Sequence, residues 1–385
     1  MVDKNLLSSR SSIGNSRSSM LRLLTKTFAF LIGLNLLFAF IDPIATIGSM
    51  SLYNSIFPGR LRLPYGDDPD LSFNLTVNQL DAMFASHVVD SKADKGSEYR
   101  VFLIGDSSVW GFLLGPEETL AAQLNQLDLH SSDGRRMNFF NLGYPTLSLT
   151  KDLLLLDYAQ RYEPDLILWF VTLESLPVKK QLTSPILTLN PEAANDLIDQ
   201  VDLELDDLGG TLEIPSFWER TIIGRRRILA DILRHQIFGV LWTATHVDHH
   251  IPATYDQRTE DLSEELTFQG MLPEQFSLSD MAFGVLQAGI DLSQAPIVVV
   301  NEPIFLSEGK NSDLRYNFYY PIWAYDQYRS SLIQEADLLG WELLDMWNLL
   351  PGDVFTDSAI HYNAEGVNLV IANLLSSQLL SIPSN

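Results

Sequence analysis

The sequence predicts an α/β protein: a three-layer α/β/α sandwich around a central parallel five-stranded sheet, with a helical insertion and one N-terminal transmembrane helix. Three observations predict it. Short apolar runs alternate with helical stretches, an acidic loop-rich stretch interrupts them in mid-chain, and a basic-flanked hydrophobic segment precedes them all.

Four runs, Tyr99–Ile104, Met137–Leu142, Asp165–Val171 and Pro296–Val300, are short, apolar and rich in β-branched or aromatic residues. Strands buried on both faces have this composition. Trp341–Asp345 is a weaker fifth candidate. Helices are expected at Pro116–Leu127, Lys151–Arg161, Tyr325–Leu339 and Ala364–Leu380. Such alternation implies a parallel sheet covered by helices on both faces, with function where strand carboxyl ends meet loops.

From Leu176 to Leu292 the alternation lapses into acidic loops, including Asp202–Asp207, and a helix expected near Ile228–Trp242. There Ile228, Leu229, Ile232, Leu233, Ile237, Val240 and Leu241 recur at helical spacing, beside Arg225, Arg226, Arg227 and Arg234. This reads as a segment of about residues 177–292 inserted into a domain spanning 71–385. The helix is expected to pack on that domain, or else to form a cap near anionic lipid or polymer.

At the N-terminus, Lys4, Arg10, Arg17, Arg22 and Lys26 precede the apolar run Phe28–Ile41, and continuing through Asp42-Pro43 to Ile47 reaches the roughly 20 residues a bilayer needs. The positive flank places residues 1–26 in the cytoplasm as a disordered tail. Residues 27–50 are expected to be an uncleaved anchor, 51–70 a linker, and the rest extracytoplasmic.

Composition narrows the chemistry. Of 385 residues, 49 are acidic and 25 basic, a net charge of -24 that repels nucleic-acid phosphates. With no cysteine, the chain has no disulfide, thiolate metal site or cysteine nucleophile. His246, Asp248, His249 and His250 cluster on a polar stretch expected to be solvated, and Gly209-Gly210 follows an acidic run that would repel phosphate. No metal and no cofactor are expected.

The first strand candidate runs into Gly105-Asp106-Ser107, with Gly111 beyond, so Ser107 stands at the carboxyl edge of the sheet. A serine hydroxyl becomes a nucleophile beside a base, and histidine has the suitable neutral pKa. His361, alone among seven histidines, follows a nearby acid, Asp357, on a loop leading into a helix of the sheet pattern. A carboxylate there would hold the imidazole.

These blocks resemble those of the SGNH (GDSL-type) hydrolases: Gly105-Asp106-Ser107 with Gly111 the first, Asn141-Leu142-Gly143-Tyr144-Pro145 the second, and His361-Tyr362-Asn363-Ala364-Glu365-Gly366 the last. They stand in family order over residues 99 to 380. The resemblance implies a flavodoxin-like α/β/α domain, Ser107 as nucleophile, His361 as base, and the amides of Ser107 and Gly143 facing the oxyanion. Two departures stand out. The strand that should precede an oxyanion asparagine ends in Val171-Thr172-Leu173-Glu174-Ser175, leaving Thr172, Ser175 or Asn301 as substitutes; one such donor is typically worth about 10²–10³ in rate. Asp357 lies four residues before His361 where the family has three, a place held here by Ser358, so a loop bulge, Asp353 or a Ser-His dyad must answer for it. The expected function is an ester hydrolase acting through an acyl-enzyme on an ester-bearing small molecule or cell-surface glycan. The alternatives are an O-acyltransferase modifying surface polysaccharide with a membrane acyl-donor protein, and a non-catalytic polymer-binding relative.

Overall fold

The computed structural model describes residues 5–66, 76–91, 95–203, 211–245, 254–377 and 380. Most of the acidic run to Asp207, the Gly209-Gly210 pair, the His246–His250 cluster and the expected domain start at Leu71 lie outside them.

Five strands, β1 (Glu98–Ile104), β2 (Arg136–Asn141), β3 (Leu166–Val171), β4 (Ile297–Asn301) and β5 (Glu342–Asp345), form one sheet in the order β2-β1-β3-β4-β5. Every pairing is parallel. Side chains alternate along each strand, so the sheet feeds two cores. Phe102, Ile104, Ile167, Trp169 and Val299 enter one, with α3 (Leu80–Ser86), α6 (Leu149–Ala159), α11 (Phe283–Leu292) and α12 (Ile322–Leu339). Val101, Leu103, Leu168, Phe170, Val298 and Val300 enter the other, beneath α5 (Leu120–Gln126) and α13 (Ala364–Ser376). This is the three-layer α/β/α arrangement the sequence predicts.

Several boundaries differ from expectation. Pro116–Leu127 is not one helix, because Thr119 accepts the Ala122 N–H and starts α5 anew after a single 3-10 turn. The insertion stops before α11, which is a crossover helix of the sheet. A Cβ at Gly289 would lie 2.4 Å from the Trp169 ring, so glycine is what lets α11 press onto β3. Ahead of it, α7 (Pro185–Leu189) and α8 (Pro191–Gln200) bury Ile186, Leu187, Ala194 and Leu197 in the same core.

The N-terminal segment departs most. No proline interrupts residues 5–41, and the expected disordered tail is helical from Asn5, within α1 (Asn5–Ile41). Its stretch Ser19–Ile41 is long and apolar enough to cross a membrane, a profile a signal sequence shares. The expected continuation to residue 50 does not form. Asp42 adopts a positive φ of 44°, Pro43 stops the helix, and α2 (Ile44–Ser49) starts again, turned onto the domain through Ile44 and Gly48. The expected linker is likewise no free tether. Tyr53, Arg60, Arg62 and Leu63 are buried, and Trp110 Nε1 donates to Leu63 O at 2.8 Å.

Candidate active site

Strand order reverses between β1 and β3, and in open α/β sheets the crevice at that switch point receives ligands. β1 delivers Asp106 and Ser107 to it. The Asp106 carboxylate accepts the Ser108 N–H at 2.8 Å and caps the one-turn helix α4 (Ser107–Trp110), which Gly111 ends at φ 87°. Ser107 opens α4, so its amide is among the donors that a helix start leaves unsatisfied.

Asp357 and His361 come from a tight two-stranded loop between β5 and α13. Asn363 N–H donates to Val354 O and Thr356 N–H to His361 O, each at 2.9 Å, which folds the four-residue spacing back on itself. His361 Nδ1 lies 2.9 Å from Asp357 Oδ1, and its Nε2 lies 2.7 Å from Ser107 Oγ. A carboxylate only accepts, so the Nδ1 proton points to Asp357 and the Nε2 lone pair to the serine hydroxyl. Burial works against the charge on Asp357. The hydrogen bond and charge of His361, aided by the Thr356 hydroxyl, outweigh it and hold the carboxyl below its ordinary value. Phe112 stacks on the imidazole at 4.8 Å between ring centres.

The other expected site residues fall into place differently. Gly143 does approach α4: a Cβ there would lie 2.5 Å from Trp110 N. Its N–H donates to Asn141 Oδ1 at 3.1 Å, while Asn141 Nδ2 donates to Val109 O. Thr172 is fully buried and its hydroxyl pairs with Tyr320 OH at 3.0 Å, so it is committed away from the crevice. Ser175 Oγ bonds within its own turn, to Thr172 O. Asn301 accepts from Tyr328 and donates to Asp345 in the core. Asp353 borders a separate groove with Arg258 and Glu260, and Ser358 is buried.

Further residues bear on the site that the sequence reading passes over. Glu174, beside the position where the family pattern carries asparagine, pairs with Lys180 and with Gln269 of the insertion. Burial, with the charges of Glu174, Asp357 and Asp106 acting the same way, pushes the Tyr319 hydroxyl above its ordinary value. Behind Ser107, the wholly buried Lys151 donates to Gly105 O at 2.8 Å and Tyr144 O at 2.9 Å and pairs with Asp152. One ammonium thus ties together the loops that carry Ser107 and Gly143. Burial pushes Asp152 up to about 6, against the pull of Lys151. Ser108 Oγ donates to Glu302 at 2.8 Å, and burial together with the charge of Asp106 pushes the Glu302 carboxyl well above its ordinary value. A lone lysine inside Leu149–Leu156 and an acid directly after the strand Ile297–Asn301 were the signals in the sequence.

No family model and no curated protein matches the chain. Solved structures do. It is similar to a member of the lipolytic protein G-D-S-L family from Veillonella parvula, at 11% identity over 72% of this chain and 96% of that one, TM-score 0.35. It is similar to a carbohydrate acetylesterase family member from Sinorhizobium meliloti, at 15% identity over 73% and 98%, TM-score 0.32. A lipase/acylhydrolase from Enterococcus faecalis gives 11% identity over 72% and 94%, TM-score 0.33.

Proposed function

We propose that the chain is a serine esterase working through an acyl-enzyme at the extracytoplasmic face of a membrane. The observation that carries this reading is the hydrogen-bonded series Ser107–His361–Asp357, with contacts of 2.7 and 2.9 Å. Ser107 Oγ attacks the ester carbonyl carbon while His361 Nε2 takes its proton. The tetrahedral oxygen bears the negative charge, and the amide of Ser107 at the start of α4 is the donor that holds it in this reading. As the C–O bond to the alcohol breaks, His361 returns the proton to the leaving oxygen. Water, deprotonated by His361, then attacks the acyl carbon and restores the Ser107 hydroxyl, releasing the acid.

Asp357 keeps its charge through this cycle, which stabilises the imidazolium formed in both halves. The extracytoplasmic placement is supported by Arg22 and Lys26 lying at the start of the apolar segment of α1. A fluorophosphonate probe tests the reading. The full chain should take up one equivalent, Ser107→Ala none, and His361→Ala should label far more slowly. A folded wild-type chain that takes up no probe would end the esterase proposal.

A further inference from the structure

The inserted segment carries an apolar surface that nothing else in the described chain covers. α9 (Arg226–Arg234), one π-helical turn (His235–Gly239) and α10 (Val240–Thr245) make a single run of helix. Its inner side is buried through Ile232, His235, Gly239 and Val240. Its outer side leaves Leu233, Ile237, Phe238 and Leu241 about half exposed, and the loop before it adds Trp218 at 70% and Ile223 at 68%. A run of exposed apolar side chains on the side facing away from the domain marks a surface that meets another apolar body.

Contacts fix where that side lies. Ile223 N–H donates to Asn35 Oδ1 of α1 at 3.2 Å, and the Arg225 guanidinium is 3.8 Å from Asp42. Past the end of α1, Leu52 N–H donates to Gln236 at 2.8 Å and the Tyr53 ring stacks on His235 at 5.0 Å. Asn35 lies about 9 Å along α1 from its end at Ile41, counting 1.5 Å per residue. The loop bearing Trp218 and Ile223 therefore sits beside the last turns of the membrane-length segment. Interfacial helices bury their apolar sides to roughly this depth, 5–10 Å.

Charge chooses the occupant. Residues 216–245 hold five arginines against two acids in a chain of net charge -24. A second copy docking symmetrically would set these arginines against each other, whereas anionic lipid complements them and the apolar side together.

We propose that residues 216–245 form a platform lying in the lipid–water interface beside α1. Trp218, Ile223, Leu233 and Ile237 enter the acyl region, and Arg226, Arg227 and Arg234 meet anionic phospholipid headgroups. The proposal rests on α1 spanning the membrane. With one attachment the catalytic domain would swivel on its anchor; with two, its crevice is held at a set height and orientation.

The absence of cysteine makes the test direct. Single cysteines replacing Trp218, Ile237 or, as control, Leu338 on α12 (73% exposed) are labelled with an environment-sensitive fluorophore. The full chain is then reconstituted into vesicles of phosphatidylcholine, with or without phosphatidylglycerol. Labels at 218 and 237 should shift to the blue and lose most of their emission to acyl-chain nitroxides, more strongly with phosphatidylglycerol, while the label at 338 responds only to aqueous iodide. Iodide quenching at 218 and 237 equal to that at 338 would overturn the proposal. Protection that grows with protein density would overturn it too, in favour of a second copy. Charge reversal, Arg226→Glu with Arg227→Glu and Arg234→Glu, should abolish the phosphatidylglycerol effect, and an unchanged effect counts against the headgroup contact. Alkaline carbonate extraction reports α1 separately: a chain that it extracts has lost its anchor, and the platform with it. Fluorophosphonate labelling is indifferent to either failure.

Discussion

His361 is held on three sides, by Asp357 at Nδ1, Ser107 at Nε2 and the Phe112 ring against its face. An asparagine at 357 fills the same space but no longer requires the proton on Nδ1. Asp357→Asn is therefore expected to cut turnover of a p-nitrophenyl ester by up to about 10⁴-fold, with little change in KM. The same carboxyl has a stability signature. Its folded pKa is depressed, so its contribution is present above the unfolded value of about 4 and is lost as pH falls through the folded one. The difference in melting temperature between wild type and Asp357→Asn should close in acid, and a difference that widens there would contradict this. Ser107, His361 and Asp357 were legible because each stands in or beside a short motif at a strand or helix boundary. Thr172 was not, because what engages its hydroxyl is Tyr320, 148 residues away and on no motif.

At the level of elements, the crevice loops are fastened by groups that take no part in the chemistry. Lys151→Met would leave the Gly105 and Tyr144 carbonyls and the Asp152 carboxylate without their common partner. Breaking a buried pair this way costs about 3–5 kcal/mol, which a denaturant midpoint should register. Glu302 gives a pH test of opposite sign to Asp357. Its folded pKa is raised, so the native state binds that proton more tightly than the unfolded chain and stability falls as pH rises above the unfolded value of about 4. Glu302→Gln should remove that slope, gaining on wild type as pH rises above about 5 in thermal melts. Parallel slopes would show that the carboxyl is charged in the fold. The strands could be read because burial on both faces writes itself as unbroken apolar runs. Residues 51–66 could not be read as part of the domain, because they have no period. Arg62 secures them instead, its guanidinium 3.8 Å over the Trp110 ring and donating to Gly111 O at 2.9 Å.

Over the whole molecule, one hydrogen bond joins residues 254 apart in the sequence and closes the site across the sheet. The order β2-β1-β3-β4-β5 puts the switch point beside β1, and that bond closes the site there. The insertion helix near Ile228–Trp242 was legible from its spacing, but its lodging against α1 had to come from tertiary structure, since its apolar residues face two ways and a periodicity shows only that they recur. With α1 in a bilayer and the domain outside it, protease added outside sealed vesicles should degrade the domain and leave α1, while complete protection would reverse the topology. The central claim is that Ser107 becomes acylated. Rapid mixing of the full chain with excess p-nitrophenyl acetate, followed by mass analysis of the peptide containing residue 107, tests it most directly. The expected result is a burst of one equivalent of p-nitrophenolate with an acetyl group on Ser107, both lost in Ser107→Ala. Burst-free release that persists in that variant, or an acetyl group on another residue, would contradict it.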